Sequence, residues 1–254
     1  MEALVIEKPF DILYGVNPVL EALRAKKRKA IRLYLSETRH DKYSDLIKRM
    51  AKQESIPLDI ISKHEISKLT LSSSNQGIAG KFEPYPYVDI QTIIEAAKKE
   101  HENPFIIALD EVQDPHNTGA IIRTASCLGW HGIIITKRRS AGITPGVVKV
   151  SSGATEYVNI AMVSNLRAEV ESFKKDGFVT VGLDMHGKSD FEDVTKGKGI
   201  ILIVGGEESG IRKPVFEVCD YIVSIPMKGH PDSLNASVSA GIALYTLRKL
   251  FTQK

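Results

Sequence analysis

The stretch Ile201-Leu202-Ile203-Val204-Gly205-Gly206-Glu207-Glu208-Ser209-Gly210 passes without transition from aliphatic side chains into glycines and small polar residues. The same break recurs downstream, where Ile225-Pro226-Met227-Lys228-Gly229 leads to Ser233-Leu234-Asn235-Ala236-Ser237. An apolar strand that stops abruptly in such residues suits a ligand lying against backbone, and open α/β sheets place their sites at strand ends. A third segment, Asp110-Glu111-Val112-Gln113-Asp114-Pro115-His116-Asn117-Thr118-Gly119-Ala120-Ile121-Ile122-Arg123-Thr124-Ala125, follows another apolar run and opens a helix.

Working outward, apolar runs predict strands over 105–109, 132–136, 178–183, 200–204 and 221–225. Helical spacing marks 116–128, 166–175 and 236–250. Strands this continuously apolar belong to a mostly parallel sheet covered on both faces. Upstream, strands over 31–35, 58–60 and 77–82 alternate with helices over 41–53 and 63–69. A further helix begins at Asn17-Pro18, with Asn17 as its cap. Pro84-Tyr85-Pro86-Tyr87 interrupts the pattern. The expected organisation is a small α/β domain over 1–84, a linker and leading helix over 85–103, and a larger α/β domain over 104–254.

With 254 residues, 43% hydrophobic and 26% charged, the composition is that of a globular protein, and a net charge of +3 permits a nucleic-acid partner without demanding one. Cys127 and Cys219 have no C-x-x-C partner, so neither a disulfide framework nor a cysteine zinc site is expected. Cys127 reads as a small core residue. The seven histidines lack metal-ligand spacing, so no metal is expected. There is no P-loop, no G-x-G-x-x-G after the first strand of the second domain, and no G-x-S-x-G elbow. Glu2, Glu7 and Lys8 precede no long apolar run, and no segment reaches the length of a membrane span. The expected compartment is the cytoplasm.

Each candidate residue also has a plain structural reading. Asn117 and Arg123 are six residues apart, roughly 600° around a helix, so they do not share a stripe. Asn117 suits a helix start, where it serves as a cap or meets a ligand. Glu207 is a solvated loop carboxylate or part of a pocket that Gly205 and Gly206 open to a ligand. Ser233 and Asn235 cap the last helix or ring a polar ligand. The basic runs Lys26-Lys27-Arg28-Lys29 and Lys137-Arg138-Arg139 are solvated surface or phosphate contacts; the second directly follows a strand.

In order and spacing, the three segments resemble the SpoU family of RNA ribose 2′-O-methyltransferases over roughly residues 104–250. Ser151-x-Gly153-Ala154 adds to the match. The first domain, from Tyr14-Gly15-x-x-x-Val19, is similar to the ribosomal-protein-L30e-like domain of the RlmB-type 23S rRNA guanosine methyltransferases. The sequence departs from the family at Gly229-His230-Pro231-Asp232-Ser233 and at Ser239.

The resemblance implies a knotted α/β methyltransferase domain with a deep trefoil knot, preceded by the L30e-like domain. It implies S-adenosyl-L-methionine held by loops 183–187, 204–210 and 224–238. Leu183, Asp184, Gly205, Gly206, Glu207, Ile225, Met227, Ser233, Leu234 and Asn235 would be the cofactor-binding residues. Asn117, Arg123, Glu207, Ser233 and Asn235 would be catalytic. Arg123, Lys26, Lys27, Arg28, Lys137, Arg138 and Arg139 would contact RNA. A homodimer is implied, with Leu244, Tyr245, Leu247 and Leu250 either offering apolar surface or buried within one subunit. The substrate implied is 23S rRNA, at a guanosine; the alternatives are tRNA, another rRNA nucleotide, or a non-catalytic RNA-binding assembly role. A ribose hydroxyl holds its proton tightly, so methyl transfer needs in-line positioning and removal of one proton. A guanidinium is effectively always protonated, which leaves Arg123 open between a proton acceptor and an electrostatic clamp.

Overall fold

The computed structural model describes residues 9–207, 209–230 and 233–252. Glu2, Glu7, Lys8, Glu208, Pro231 and Asp232 lie outside the described residues. Chain order is β1 (Asp11–Tyr14), α1 (Val16–Ala25), β2 (Ala30–Ser36), α2 (Lys42–Gln53), β3 (Leu58–Ile61), α3 (Lys63–Thr70), β4 (Ile78–Phe82), α4 (Ile90–Lys99), β5 (Phe105–Asp110), α5 (Pro115–Cys127), β6 (Gly132–Thr136), α6 (Pro145–Val150), β7 (Asn159–Val163), α7 (Leu166–Lys175), β8 (Val179–Leu183), β9 (Ile200–Gly205), α8 (Lys213–Phe216), β10 (Tyr221–Val223) and α9 (Ala236–Thr252). Two compact units result.

The second unit holds Tyr87–Gly142 and the chain from Val158 on. Its sheet runs β10-β8-β9-β5-β6-β7, and every neighbouring pair is parallel. Central strands β5 and β9 are buried along their whole length. This explains why they read as unbroken apolar runs: with both faces covered, no position is left for an outward polar side chain. On one face Ile106, Ile134 and Ile201 pack with Leu166, Val170 and Phe173 of α7. On α9, Leu244 and Leu247 are fully buried within the chain, the second of the two alternatives, whereas Tyr245 is exposed together with Val238 and Ile242. Cys127 is exposed at the end of α5, not a core residue. Because all strands run the same way, the segments that follow β5, β6, β8, β9 and β10 leave one edge of the sheet. The three motifs are therefore delivered to that edge by topology alone.

The first unit holds the chain up to Pro86 together with Ile143–Tyr157. Its sheet is β1-β4-β2-β3, with β4 antiparallel to β1 and β2. Helix α1 begins at Val16, ahead of the expected start: Gly15 occupies the cap with φ 94°, a conformation open to glycine, and Asn17 lies inside the first turn. Asp41 and Ser62 close capping boxes on α2 and α3.

Segment Ile143–Tyr157 is held in this unit by a buried ion pair. Arg28 Nη2 lies 2.7 Å from Glu156 Oε1, and both side chains are 0% exposed. Arg28 Nη1 also meets Asp11 at 2.8 Å. This corrects the expectation for Arg28: its charge is enclosed and committed, so it is no RNA contact. Removing either member of such a pair strands a buried charge and costs roughly 3–5 kcal/mol. Lys27 turns inward as well. Its Nζ donates to Tyr85 Oη at 2.7 Å, and Tyr85 Oη donates to Thr155 O at 3.1 Å. Of the basic run, Lys26 and Lys29 are the exposed members.

Burial pushes the Lys27 ammonium down to about 8, outweighing the pull of Glu156. Between that value and the ordinary lysine range the unfolded chain binds more protons than the folded one, so stability rises with pH across this window. Below about pH 8 the cost of holding the charge is fully present. Urea unfolding at pH 7.5 and pH 10 should show wild type gaining stability relative to Lys27→Met as pH rises. Parallel pH dependence in the two proteins would contradict this assignment.

Candidate active site

Two turns at the strand edge, after β8 and after β9, are built by glycines whose missing side chains make room for other stretches of the same chain. A Cβ on Gly205 would lie 2.0 Å from the carbonyl carbon of Gly210, and one on Gly206 would lie 2.7 Å from Glu111 O. A Cβ on Gly187 would lie 2.6 Å from the carbonyl carbon of Val223. The sequence suggested that Gly205 and Gly206 admit a ligand; the geometry shows that they admit backbone. Gly206 and Gly210 close a small antiparallel bridge, and from that bridge projects Glu207.

The three motifs meet through one hydrogen-bonded chain. Helix α5 is capped by Asp114, whose carboxylate accepts from His116 N at 3.0 Å with Pro115 at the first helical position. Asn117 is thus relieved of capping and faces inward, 5% exposed. Its Nδ2 donates to Glu207 Oε1. Its Oδ1 accepts from Asn235 Nδ2 at 2.9 Å. Asn235 Oδ1 in turn accepts from Ser237 N at 2.9 Å, Ser237 Oγ at 2.6 Å and Val238 N at 3.4 Å. Asn235 therefore caps α9 and donates into the site at once. Every amide in the chain points the same way, from the N-terminus of α9 to the carboxylate, and such aligned bonds reinforce one another.

The remaining candidates fall around this chain. Arg123 is exposed on α5 and lines an open apolar groove with Thr124, Cys127, Val238, Ile242 and Tyr245. Lys137, Arg138 and Arg139 are exposed beyond β6 at the same strand edge, and Arg139 Nη1 lies 3.5 Å from Glu111 Oε2. Ser233 is exposed. Leu183 and Asp184 end β8, with Asp184 N donating to Val223 O at 3.1 Å. Ile225 is partly buried.

Met185, Met227 and Leu234 are 65%, 40% and 39% exposed. Large apolar side chains presented on loops at a strand edge, beside backbone groups, suit a ligand with an apolar face and polar edges. Among the described residues no group of three or more His, Cys, Asp or Glu is placed to hold a metal ion. Among them, too, no helix is long and apolar enough to cross a membrane.

The sequence places Asp110 and Glu111 at the head of the third segment but assigns no role to them or to Arg212. Asp110 ends β5 fully buried, accepting from Arg212 N at 2.9 Å and Arg212 Nε at 2.8 Å. The available signal was an acidic residue closing an otherwise apolar strand, where a buried charge requires a partner.

A parallel sheet with glycine-tight turns, and a polar chain joining three strand-edge segments, is the architecture of the knotted class of methyltransferases, on whose solved structures the chain superposes. Comparison with known proteins agrees. The model of the SpoU rRNA Methylase family matches residues 104–245, and that for RNA 2′-O ribose methyltransferase substrate binding matches residues 12–88. The protein YacO of Bacillus subtilis, named as a TrmH family tRNA/rRNA methyltransferase, is 35% identical over 235 residues, 92% of this chain and 94% of its own. The SpoU methyltransferase AviRb from Streptomyces viridochromogenes, solved in complex with AdoMet, superposes with a TM-score of 0.80 at 25% identity, covering 96% of this chain and 91% of its own. An AdoMet-bound rRNA methyltransferase from Sinorhizobium meliloti shares the fold, with a TM-score of 0.79 at 24% identity over 96% of this chain and 88% of its own. The chain belongs to the SpoU rRNA methylase family.

The double role of Asn235 can be separated. Asn235→Ala loses the cap and should cost about 1 kcal/mol. Asn235→Asp keeps a good cap but replaces the amide donor with a second acceptor facing Asn117. It should hold thermal stability closer to wild type while lowering activity at least as far as Asn235→Ala does. Full activity in Asn235→Asp would reduce Asn235 to a helix cap.

Proposed function

We propose that the protein transfers a methyl group from S-adenosyl-L-methionine to the ribose 2′-hydroxyl of a guanosine in 23S rRNA. The observation that carries this reading is the hydrogen-bonded chain Asn235–Asn117–Glu207, which joins all three motif segments at one sheet edge. The match of residues 12–88 to a 2′-O ribose methyltransferase substrate-binding domain supports the ribose hydroxyl as target.

The cofactor would lie against the turns after β8, β9 and β10, with Leu183, Asp184, Gly205, Gly206, Ile225, Met227, Ser233, Leu234 and Asn235 around it. When bound, it supplies an electrophilic methyl on a sulfonium. What remains for the protein is to align the hydroxyl and to accept its proton or stabilise its charge. Arg123 suits charge stabilisation, because its planar fork can hold a phosphate and a developing alkoxide together. Asn117 and Glu207 fix the floor of the site. Lys137, Arg138 and Arg139 provide phosphate contacts at the same edge. In the first unit Lys26 and Lys29, with the folded domain around them, select the RNA by shape and charge.

The protein acts as a cytoplasmic homodimer in this reading. Val238, Ile242 and Tyr245 form an exposed apolar stripe on α9. Arg123 lines the same groove, so a second copy seated there would enclose Arg123 near the subunit boundary.

Arg123→Ala should fold, dimerise and bind cofactor, while single-turnover methyl transfer at saturating RNA falls by about two orders of magnitude. Arg123→Lys should recover little. A rate near wild type for Arg123→Ala would remove Arg123 from the chemistry. Mass spectrometric mapping of ribose methylation in 23S rRNA, with and without the protein, tests the substrate. A missing mark on tRNA instead would redirect the assignment.

A further inference from the structure

The loop that carries Glu207 is anchored at both ends to a single residue. Gly206 N donates to Asp110 O at 3.1 Å, and Gly210 N donates back to Gly206 O at 3.0 Å. On the far side, Arg212 grips the Asp110 carboxylate with its backbone N at 2.9 Å, Nε at 2.8 Å and Nη2 at 2.6 Å. The remaining nitrogen, Arg212 Nη1, meets Glu111 Oε1 at 3.1 Å. Asp110 is 0% exposed and the Arg212 side chain 37% exposed. Burial of the carboxylate makes the grip strong, because an unpaired charge there would be costly.

Glu111 adds backbone strain at the same place. It holds φ 58°, a left-handed conformation unfavourable for a side chain with a Cβ. Its carbonyl fills the space above Gly206, and its carboxylate spans Arg212 and Arg139. The backbone between Asp110 and Asn117 is short. Asp110 and Asn117 are therefore two fixed points of one strand-to-helix turn, and Glu207 is suspended between them: by Gly206 on Asp110, and by its carboxylate on Asn117.

We propose that Arg212 is a positioning residue for methyl transfer. It does not touch substrate. Through Asp110 and Glu111 it fixes the 206–212 loop, so that Glu207 meets Asn117 in one geometry. A fork that binds one buried carboxylate through two nitrogens, Nε and Nη2, and a neighbouring carboxylate through a third, Nη1, is specific to arginine; a lysine cannot reproduce it. The catalytic consequence rests on the methyltransferase reading above, whereas the anchoring of the loop stands apart from it.

The test uses the full chain, with Arg212→Met and Arg212→Lys each made alone and in a Glu207→Ala background. Arg212→Met should lower the single-turnover rate by about tenfold or more, since small misplacements at a reacting centre are expensive. Its RNA affinity should stay within about twofold of wild type, and Arg212→Lys should recover only part of the rate. In the Glu207→Ala background the added loss from Arg212→Met should be under about twofold, because the group it acts through is gone. Equal losses in both backgrounds would overturn the positioning role.

Hydrogen exchange supplies a readout independent of methyl transfer. The Gly206 and Gly210 amides should exchange about tenfold faster or more in Arg212→Met, with amides of β6 unchanged. Unchanged exchange at these two amides would overturn the inference whatever the activity. If Arg212→Met does not fold, Asp110→Asn keeps the shape, removes the charge and is read in the same way. Wild-type protein that transferred no methyl group would contradict the proposed function, and the exchange result would then decide on the anchoring alone.

Discussion

The site depends on one side chain with two committed ends. Asn117 gives its amide hydrogens to Glu207 and its amide oxygen to Asn235. Each partner comes from a different loop, and the loops are separated by long stretches of sequence. No other residue type of this size offers a donor and an acceptor fixed in one plane, apart from the longer glutamine. A serine would reach one partner, and an aspartate would repel Glu207. Burial sharpens the demand, because an amide enclosed with one end unpaired costs as much as the bond would contribute. The network thus acts as a closure condition: the three segments are either all in place or the polar atoms are orphaned.

The parallel sheet makes this closure possible. Parallel pairing sends the exits of β5, β8, β9 and β10 to one edge, and glycines then let the exits cross at backbone contact. Two charged anchors lie outside the closure. In the second unit Arg212 is clamped on the buried Asp110. In the first unit the enclosed Arg28–Glu156 pair ties the 143–157 segment to the sheet that begins at Asp11. Both anchors use arginine against a carboxylate of very low exposure, where breaking the pair is costly, and both arginines reach a second carboxylate as well, Asp11 for Arg28 and Glu111 for Arg212.

Much of this was legible in the sequence. The apolar runs of β5, β6, β8 and β9 lie where their patterning put them, because a sheet buried on both faces leaves an uninterrupted signal. The three motifs named Asn117, Glu207 and Asn235, which the structure joins directly. What could not be read was pairing across long separations. Arg28 looked like one member of a surface run, since nothing local announces Glu156. Cys127 reads as core because it continues the apolar pattern of α5, yet at the last position of the helix it is exposed while Ala125 is buried. The glycines at 205 and 206 were recognised as special, but sequence alone does not distinguish room for a ligand from room for another strand end. Asp110 heads the third segment, but nothing local announces its partner Arg212 far along the sequence. Helix α6 and strand β7 are only six and five residues long, and α6 is interrupted by Gly146 and Lys149, which weakens any periodic signal.

The central claim is that three strand-edge loops, closed by Asn117, form a site for S-adenosyl-L-methionine. Calorimetric titration of S-adenosylhomocysteine into wild type and Asn117→Ala, in the presence of a metal chelator, tests it most directly. Binding to wild type is expected, with affinity weakened by about tenfold in Asn117→Ala, the scale of one lost buried hydrogen bond. Folded wild-type protein that bound neither this product nor the methyl donor would contradict it.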